Sequence, residues 1–356
     1  MSTQENRITR RKFLKGAGLV GLGTTVSLVA GRSLTNSTGV KSIRTGSTAN
    51  PRPRSYSKVD TALIQYEEVG QIRPKFHALR GIAVSPDDRI YIVGDRSIGV
   101  FSEKTEPLPE IALNGRPQCV TITEDSTIYV GMKDRVEVYD GKGGHRASWD
   151  RLGPNAVLTS IAVSKDDVFV ADAGNRTVLR YTTSGVAVRL IGKKEKKRNI
   201  PGFSVPSPYF DLAVAPDGLL RVANPGRHRV EAYTYDGDLE LSWGKASMAI
   251  EGFCGCCNPI NFALLPDGKF VTSEKGLPRI KIYNADGTFK GVVAAPEQFE
   301  TNQKVCCSTG EVSATPIDIS RCQAGGIDVA VDSQGRVLAL DPVERVVRIF
   351  KPIESI

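Results

Sequence analysis

The chain of 356 residues is 40% hydrophobic and 24% charged, the balance of an ordinary folded protein rather than a disordered one. With 35 Gly and 20 Pro it is too rich in turn formers for a helical bundle, and it holds no run of 18 or more apolar residues that would span a bilayer as a helix. The formal charge of +8 points toward nucleic acid or a membrane surface, but residues 1–58 carry eleven Lys/Arg against one acid, a net of +10, so residues 59–356 sum to −2. The folded part is nearly neutral, and no nucleic-acid partner is expected.

In chain order, Thr9-Arg10-Arg11-Lys12-Phe13-Leu14-Lys15 comes first, followed by a weakly apolar, Gly-rich run over residues 16–30. The arginine pair followed by Phe-Leu-Lys resembles a twin-arginine export signal. That resemblance implies passage across the cytoplasmic membrane through the twin-arginine machinery, to the periplasm or outside, in folded form and often with a cofactor already inserted. The cleavage point is poorly marked (Leu28-Val29-Ala30 or Val29-Ala30-Gly31), so retention as an anchor stays open. Residues 31–58, rich in Ser, Thr, Gly, Arg and Pro, read as a flexible tether.

From residue 59 to 356 the chain is repetitive. Ile82-Ala83-Val84-Ser85-Pro86-Asp87-Asp88 followed by Ile90-Tyr91-Ile92 returns, with variations, beginning at Val120, Ile161, Leu212, Phe262 and Val329. Each of the six copies reads as two short strands of period-2 alternation joined by an Asp/Gly turn. A third strand then ends on an aromatic: Phe101, Tyr139, Tyr181, Tyr233, Tyr283 and Phe350. The distances from first strand to aromatic are 19, 19, 20, 21, 21 and 21 residues, whereas successive copies start 38, 41, 51, 50 and 67 apart. Insertions therefore fall between units. Fourth strands are legible at Glu110-Ile111-Ala112-Leu113, Val188-Arg189-Leu190-Ile191, Leu239-Glu240-Leu241-Ser242-Trp243 and Lys290-Gly291-Val292-Val293.

The sixth copy lacks a fourth strand, and Ala62-Leu63-Ile64-Gln65-Tyr66 supplies a spare one before the first copy. Pairing the two removes an open edge, so the expected fold is all-β, a six-bladed β-propeller closed by an N-terminal strand on the last blade. Ala171-Asp172-Ala173-Gly174-Asn175-Arg176-Thr177-Val178 followed by Arg180-Tyr181 resembles the NHL repeat, as do the Pro-Asp-Gly turns. The resemblance covers about residues 60–352 and implies the fold. That family includes lyases, receptor-like sensors and interaction modules, so it leaves function open.

Propeller geometry sorts the loops by face. Connections into first strands share one face with second-to-third-strand connections, and the Asp/Gly hairpins lie on the other. All seven cysteines fall at entries to first strands: Cys119, then Cys254, Cys256 and Cys257, then Cys306, Cys307 and Cys322. The last six gather where blades four, five and six meet. Three readings stay open for them. They form disulfides that pin the long insertion of an exported scaffold; or they hold an iron–sulfur cluster or another thiolate-bound metal, with Cys254, Cys257, Cys307 and Cys322 as the metal set; or they include a redox-active pair, a bond between adjacent cysteines among the options. Neighbouring cysteines rarely ligate one metal together, and the spacing matches no zinc-ribbon or ferredoxin pattern.

The same face carries the expected ligand pocket: His77, Arg80, Asp172, Asn175, Arg176, His228, Glu274 and Lys275. Charge converging on a propeller mouth suits an anionic or polar small molecule or a protein ligand, although Asp–Arg pairs at equivalent positions also staple neighbouring blades. Ser273-Glu274-Lys275-Gly276 departs from the Asp-Asn-Arg pattern of the other copies and sits beside the cysteine corner. His145 reads as part of a turn on the opposite face, and no Ser-His-Asp order, phosphate loop or carboxylate pair emerges. Lys193-Lys194-Glu195-Lys196-Lys197-Arg198 reads as a solvated crossover. The leading expectation is ligand binding, or electron or metal handling, at the cysteine-rich site. Behind it come a disulfide-stabilised protein-binding scaffold and a small-molecule lyase or lactone-type hydrolase.

Overall fold

The computed structural model describes residues 58–299 and 326–354. The leader, the tether up to residue 57, and Cys306, Cys307 and Cys322 lie outside the described residues.

Among the described residues the chain forms six four-stranded antiparallel sheets, the blades of a closed propeller. Blades one to five each use four consecutive strands, the first strands being Leu79–Val84, Cys119–Ile122, Leu158–Val163, Leu212–Val214 and Asn261–Leu264. Blade six has Asp328–Val331, Val337–Asp341 and Val346–Pro352, and its outer strand is Tyr66–Ile72 from the other end of the propeller. Pairing of that strand with Val346–Pro352 is antiparallel, from Tyr66 opposite Pro352 to Ile72 opposite Val347.

The closure is as expected, but the strand lies further along the chain than residues 62–66. Thr61–Leu63 is instead a short 3-10 turn capped by Asp60, whose carboxylate accepts the Ala62 N–H at 3.0 Å. Gln65 N–H then bonds Val292 O of blade five at 2.9 Å. The apolar stretch 62–64 thus bridges to the neighbouring blade, and Tyr66 opens the strand proper by burying its ring between blades five and six.

The repeated third-strand aromatics are the wedges between blades. Tyr139, Tyr181, Tyr233, Tyr283 and Phe350 are buried, and Trp149, just after the fourth strand of blade two, and Trp243, ending the fourth strand of blade four, pack against Tyr181 and Tyr283 at 4.8 and 4.9 Å. This is why the distance to that aromatic is constant: a shift would move the ring out of the interblade core. Two expectations change. His145 begins the fourth strand of blade two, His145–Ser148, rather than sitting in a turn, because its ring nitrogen bonds the buried Glu137 at 2.8 Å. Cys119 is the first residue of its strand rather than a loop residue, its sulfur packed so closely on Gly131 that a Cβ there would lie 2.4 Å from it. In the lysine-rich crossover, Arg198 pairs with Asp238 at 2.5 Å.

Candidate functional site

The first strands surround the central channel, and the equivalent position of each copy holds Gly81, Cys119, Ser160, Asp211, Asn261 or Asp328, Asp211 lying immediately before its strand. Four of these side chains reach the backbone of the next blade in turn. Ser160 Oγ donates to Leu212 O at 3.3 Å, Asp211 accepts Phe262 N–H at 2.8 Å, Asn261 donates to Ile327 O at 2.9 Å, and Asp328 accepts Ile82 N–H at 3.0 Å. Inward-facing strand ends leave backbone groups that adjacent blades cannot pair through a ladder, and these side chains satisfy them. Asp211 is buried, Asp328 is half-buried, and the two face one another's field. Burial pushes Asp211 up to about 6, against the hydrogen bonds it accepts. Burial, then the charge of Asp211, pushes Asp328 up to about 7. A like-charge carboxylate pair in low dielectric titrates as a unit.

This pair was absent from the sequence expectations. Its signal was nonetheless there: Asp211-Leu212-Ala213-Val214 and Asp328-Val329-Ala330-Val331 place an aspartate at the same point of two copies. What the sequence did not show is that this point faces the channel.

Above the ring lies a cavity of about 380 Å³, to which every blade contributes: His77 and Arg80 from blade one, Gln118 from two, Thr159 from three, Tyr209 from four, Asn261 from five and Asp328 from six. The volume is that of a small-molecule site. Arg80 is exposed, and the His77 ring, 91% exposed, lies 3.3 Å from Asp95. A more open cleft of about 650 Å³ lies on the opposite face between the hairpin turns of blades five and six and the closing segment. It borders the closure rather than the channel, and the candidate site is the mouth cavity.

The other expected pocket residues are placed elsewhere. Asp172 ties its own turn to the connection entering the first strand of blade three, accepting the N–H groups of Val157 and Asn175 at 3.0 and 3.1 Å and the Asn175 side-chain amide at 2.6 Å. Asn175 and Arg176 are exposed on that turn. Lys275 is buried behind the cavity wall, its ammonium 4.7 Å above the Tyr209 ring and 2.9 Å from Ser207 Oγ. Glu274 is fully buried, bound to Arg279 Nε at 2.6 Å and Lys281 Nζ at 3.2 Å.

Glu274, Lys275 and His228 instead hold the cysteine loop. Glu274 accepts the Cys254 N–H at 2.8 Å, and His228 Nε2 lies 2.8 Å from Gly255 O. Asn258 bonds Cys254 O at 2.7 Å and both backbone groups of Lys275, at 3.0 and 2.9 Å. Cys254 and Cys257 are buried and Cys256 is exposed. Burial, reinforced by the Glu274 charge, pushes the Cys254 thiol up to about 12. Among the described residues, no three His, Cys, Asp or Glu side chains gather as a metal site. Half of the metal set named from sequence, Cys307 and Cys322, lies outside them.

Fold and cavity together define a closed six-bladed propeller with a ligand-sized mouth. Solved structures of the same fold include a streptogramin B lyase (TM-score 0.54, 11% identity, 83% of this chain and 100% of that one). A virginiamycin B lyase from Staphylococcus aureus gives TM-score 0.53 at 14% identity, covering 81% and 99%. A structural genomics protein of unknown function from Bacteroides thetaiotaomicron gives 0.55 at 14%, covering 80% and 75%. At such identities these likenesses show the fold alone. No family model and no curated protein matches the chain.

Proposed function

We propose that the protein is an exported propeller of the NHL type that binds a polar small molecule in its mouth cavity. One observation carries this reading: the cavity is built from all six blades, directly over the channel ring, with His77 and Arg80 on one wall and Asn261 and Asp328 on its floor. A ligand there gains hydrogen-bonding groups of both signs on a rigid frame. Export rests on the Arg10-Arg11 motif. The binding test is a thermal-shift screen of charged and neutral small molecules on the wild type and Arg80→Ala; hits that shift both equally, or no hits at all, oppose the mouth as the site. Replacing Arg10 and Arg11 together by Lys tests export: the variant is expected to remain in the cytoplasm, and normal export refutes the twin-arginine reading.

A second reading, a thiolate-bound metal or iron–sulfur centre, is favoured by the rigid hold on the loop carrying Cys254, Cys256 and Cys257. Cys306, Cys307 and Cys322 would complete it. Metal analysis and a visible spectrum of protein purified without oxygen decide this: bound iron with sulfide supports the centre, and a colourless, metal-free protein opposes it.

A further inference from the structure

Two sulfurs touch on the mouth face. Cys256 Sγ and Cys257 Sγ are 3.3 Å apart, in the connection from blade four into blade five. A bonded pair needs about 2.05 Å, so a little more than an ångström of approach separates contact from bond. The loop on either side is anchored. Gly255 O is held by His228, Cys254 N–H by Glu274, and the Asn258 side chain by Cys254 and Lys275. Side-chain rotation and tilting of the shared peptide can therefore close the pair without moving the rest of the loop.

The three thiols of this loop differ in chemistry. Cys254 is buried under the Glu274 carboxylate, which disfavours its thiolate and makes it inert. Cys256 is exposed and can meet an incoming disulfide, while Cys257 lies beneath it as the resolving partner. Consecutive Cα atoms are only about 3.8 Å apart across a trans peptide, below the roughly 4.4–6.8 Å of ordinary disulfides. A bond between these neighbours is strained and exposed, hence easily reduced, and bonds of that kind turn over rather than staple.

We infer that Cys256 and Cys257 form a reversible thiol–disulfide exchange site whose substrate is an external disulfide. The Cys256 thiolate attacks one sulfur of RSSR, forming a Cys256–SR mixed disulfide and releasing RS⁻. Cys257 gives its proton to solvent and attacks Cys256 Sγ, forming the Cys256–Cys257 bond and releasing the second RS⁻. The protein dithiol loses two electrons and RSSR gains them, and an external dithiol reverses the sequence. The inference does not depend on ligand binding at the mouth, and it competes with the metal reading for Cys257.

The test uses the full chain in graded mixtures of reduced and oxidised glutathione, trapped by alkylation and mapped by mass spectrometry. Trypsin cuts after Lys245 and Lys269, so one peptide, residues 246–269, carries all three thiols. Expected is a two-hydrogen loss localised to Cys256 and Cys257 that grows with oxidised glutathione and disappears on return to reduced glutathione. Cys254→Ser should retain it; Cys256→Ser and Cys257→Ser should abolish it. The inference is overturned if the pair stays alkylatable throughout, if oxidation joins either cysteine to Cys254 or to a cysteine of another peptide, or if Cys257 resists reaction until a chelator removes metal. Mapping the wild type suffices even where a variant fails to fold.

Discussion

Glu274 accepts the backbone N–H of Cys254 at 2.8 Å, which ties the connection that follows the second strand of blade five to the loop that leads into its first. The other carboxylate oxygen takes Arg279 and Lys281, and Lys281 also donates to Gly252 O at 2.6 Å, so the whole entry segment closes over a buried ionic cluster. Burial opposes it, yet the charges of Lys281 and Arg279 hold Glu274 below the usual carboxylate range. Burial draws Lys281 down to about 8.

Removing one member of such a cluster leaves charges without a partner. Glu274→Ala is expected to cost about 3–5 kcal/mol in chemical denaturation and to make Cys254 alkylatable in the native state. Glu251→Gln, which breaks the exposed pair with Lys245, should cost less than about 1 kcal/mol. Equal losses from the two would contradict the role assigned to the cluster.

The closing strand gives a second contrast. Tyr66 is buried in the core between blades five and six, with its hydroxyl 3.2 Å from Gly335 O. Tyr66→Ala should destabilise by about 3–5 kcal/mol, as large aromatic truncations do. Val69, in the same strand, is 49% exposed. Its replacement by Ala should stay within about 0.5 kcal/mol. Denaturant midpoints of the pair check both.

The channel aspartates predict a pH dependence. Both carboxyls are raised by folding, so the native state holds protons that the unfolded chain has released. Their contribution is complete below about pH 4, the unfolded carboxylate value. It is lost as pH rises through 6 to 7, where the folded pair ionises. Between pH 4 and 8 the wild type should therefore lose stability relative to Asp328→Asn, measured as the difference in melting temperature. A constant difference across that window would show that the pair does not titrate there.

Asp172 and Arg80 should separate stability from binding. Asp172 is buried and caps its own turn, so Asp172→Ala should lower stability by about 1–3 kcal/mol, the penalty of orphaned buried donors, and leave mouth affinity nearly unchanged. Arg80 is an exposed cavity residue, and Arg80→Ala should leave the melting temperature unchanged while weakening any anionic ligand found by the screen. Calorimetry on both variants tests the division.

The sequence by itself determined the blades. Strand alternation, Asp/Gly hairpins and the constant distance to Tyr139, Tyr181 or Tyr283 are local facts, because blades one to five, and the three inner strands of blade six, pair strands adjacent in the chain. They fix six antiparallel sheets and make a closing strand necessary. The tertiary structure decided what no local pattern contains. It placed the closure at Tyr66–Ile72, where a tyrosine fits between two blades distant from it in sequence. It brought Asp211 and Asp328 into one channel, and it turned Glu274 from a mouth residue in appearance into the buried anchor of Cys254. Those outcomes depend on which side chains meet when the ring closes, and residues from all six blades meet only there.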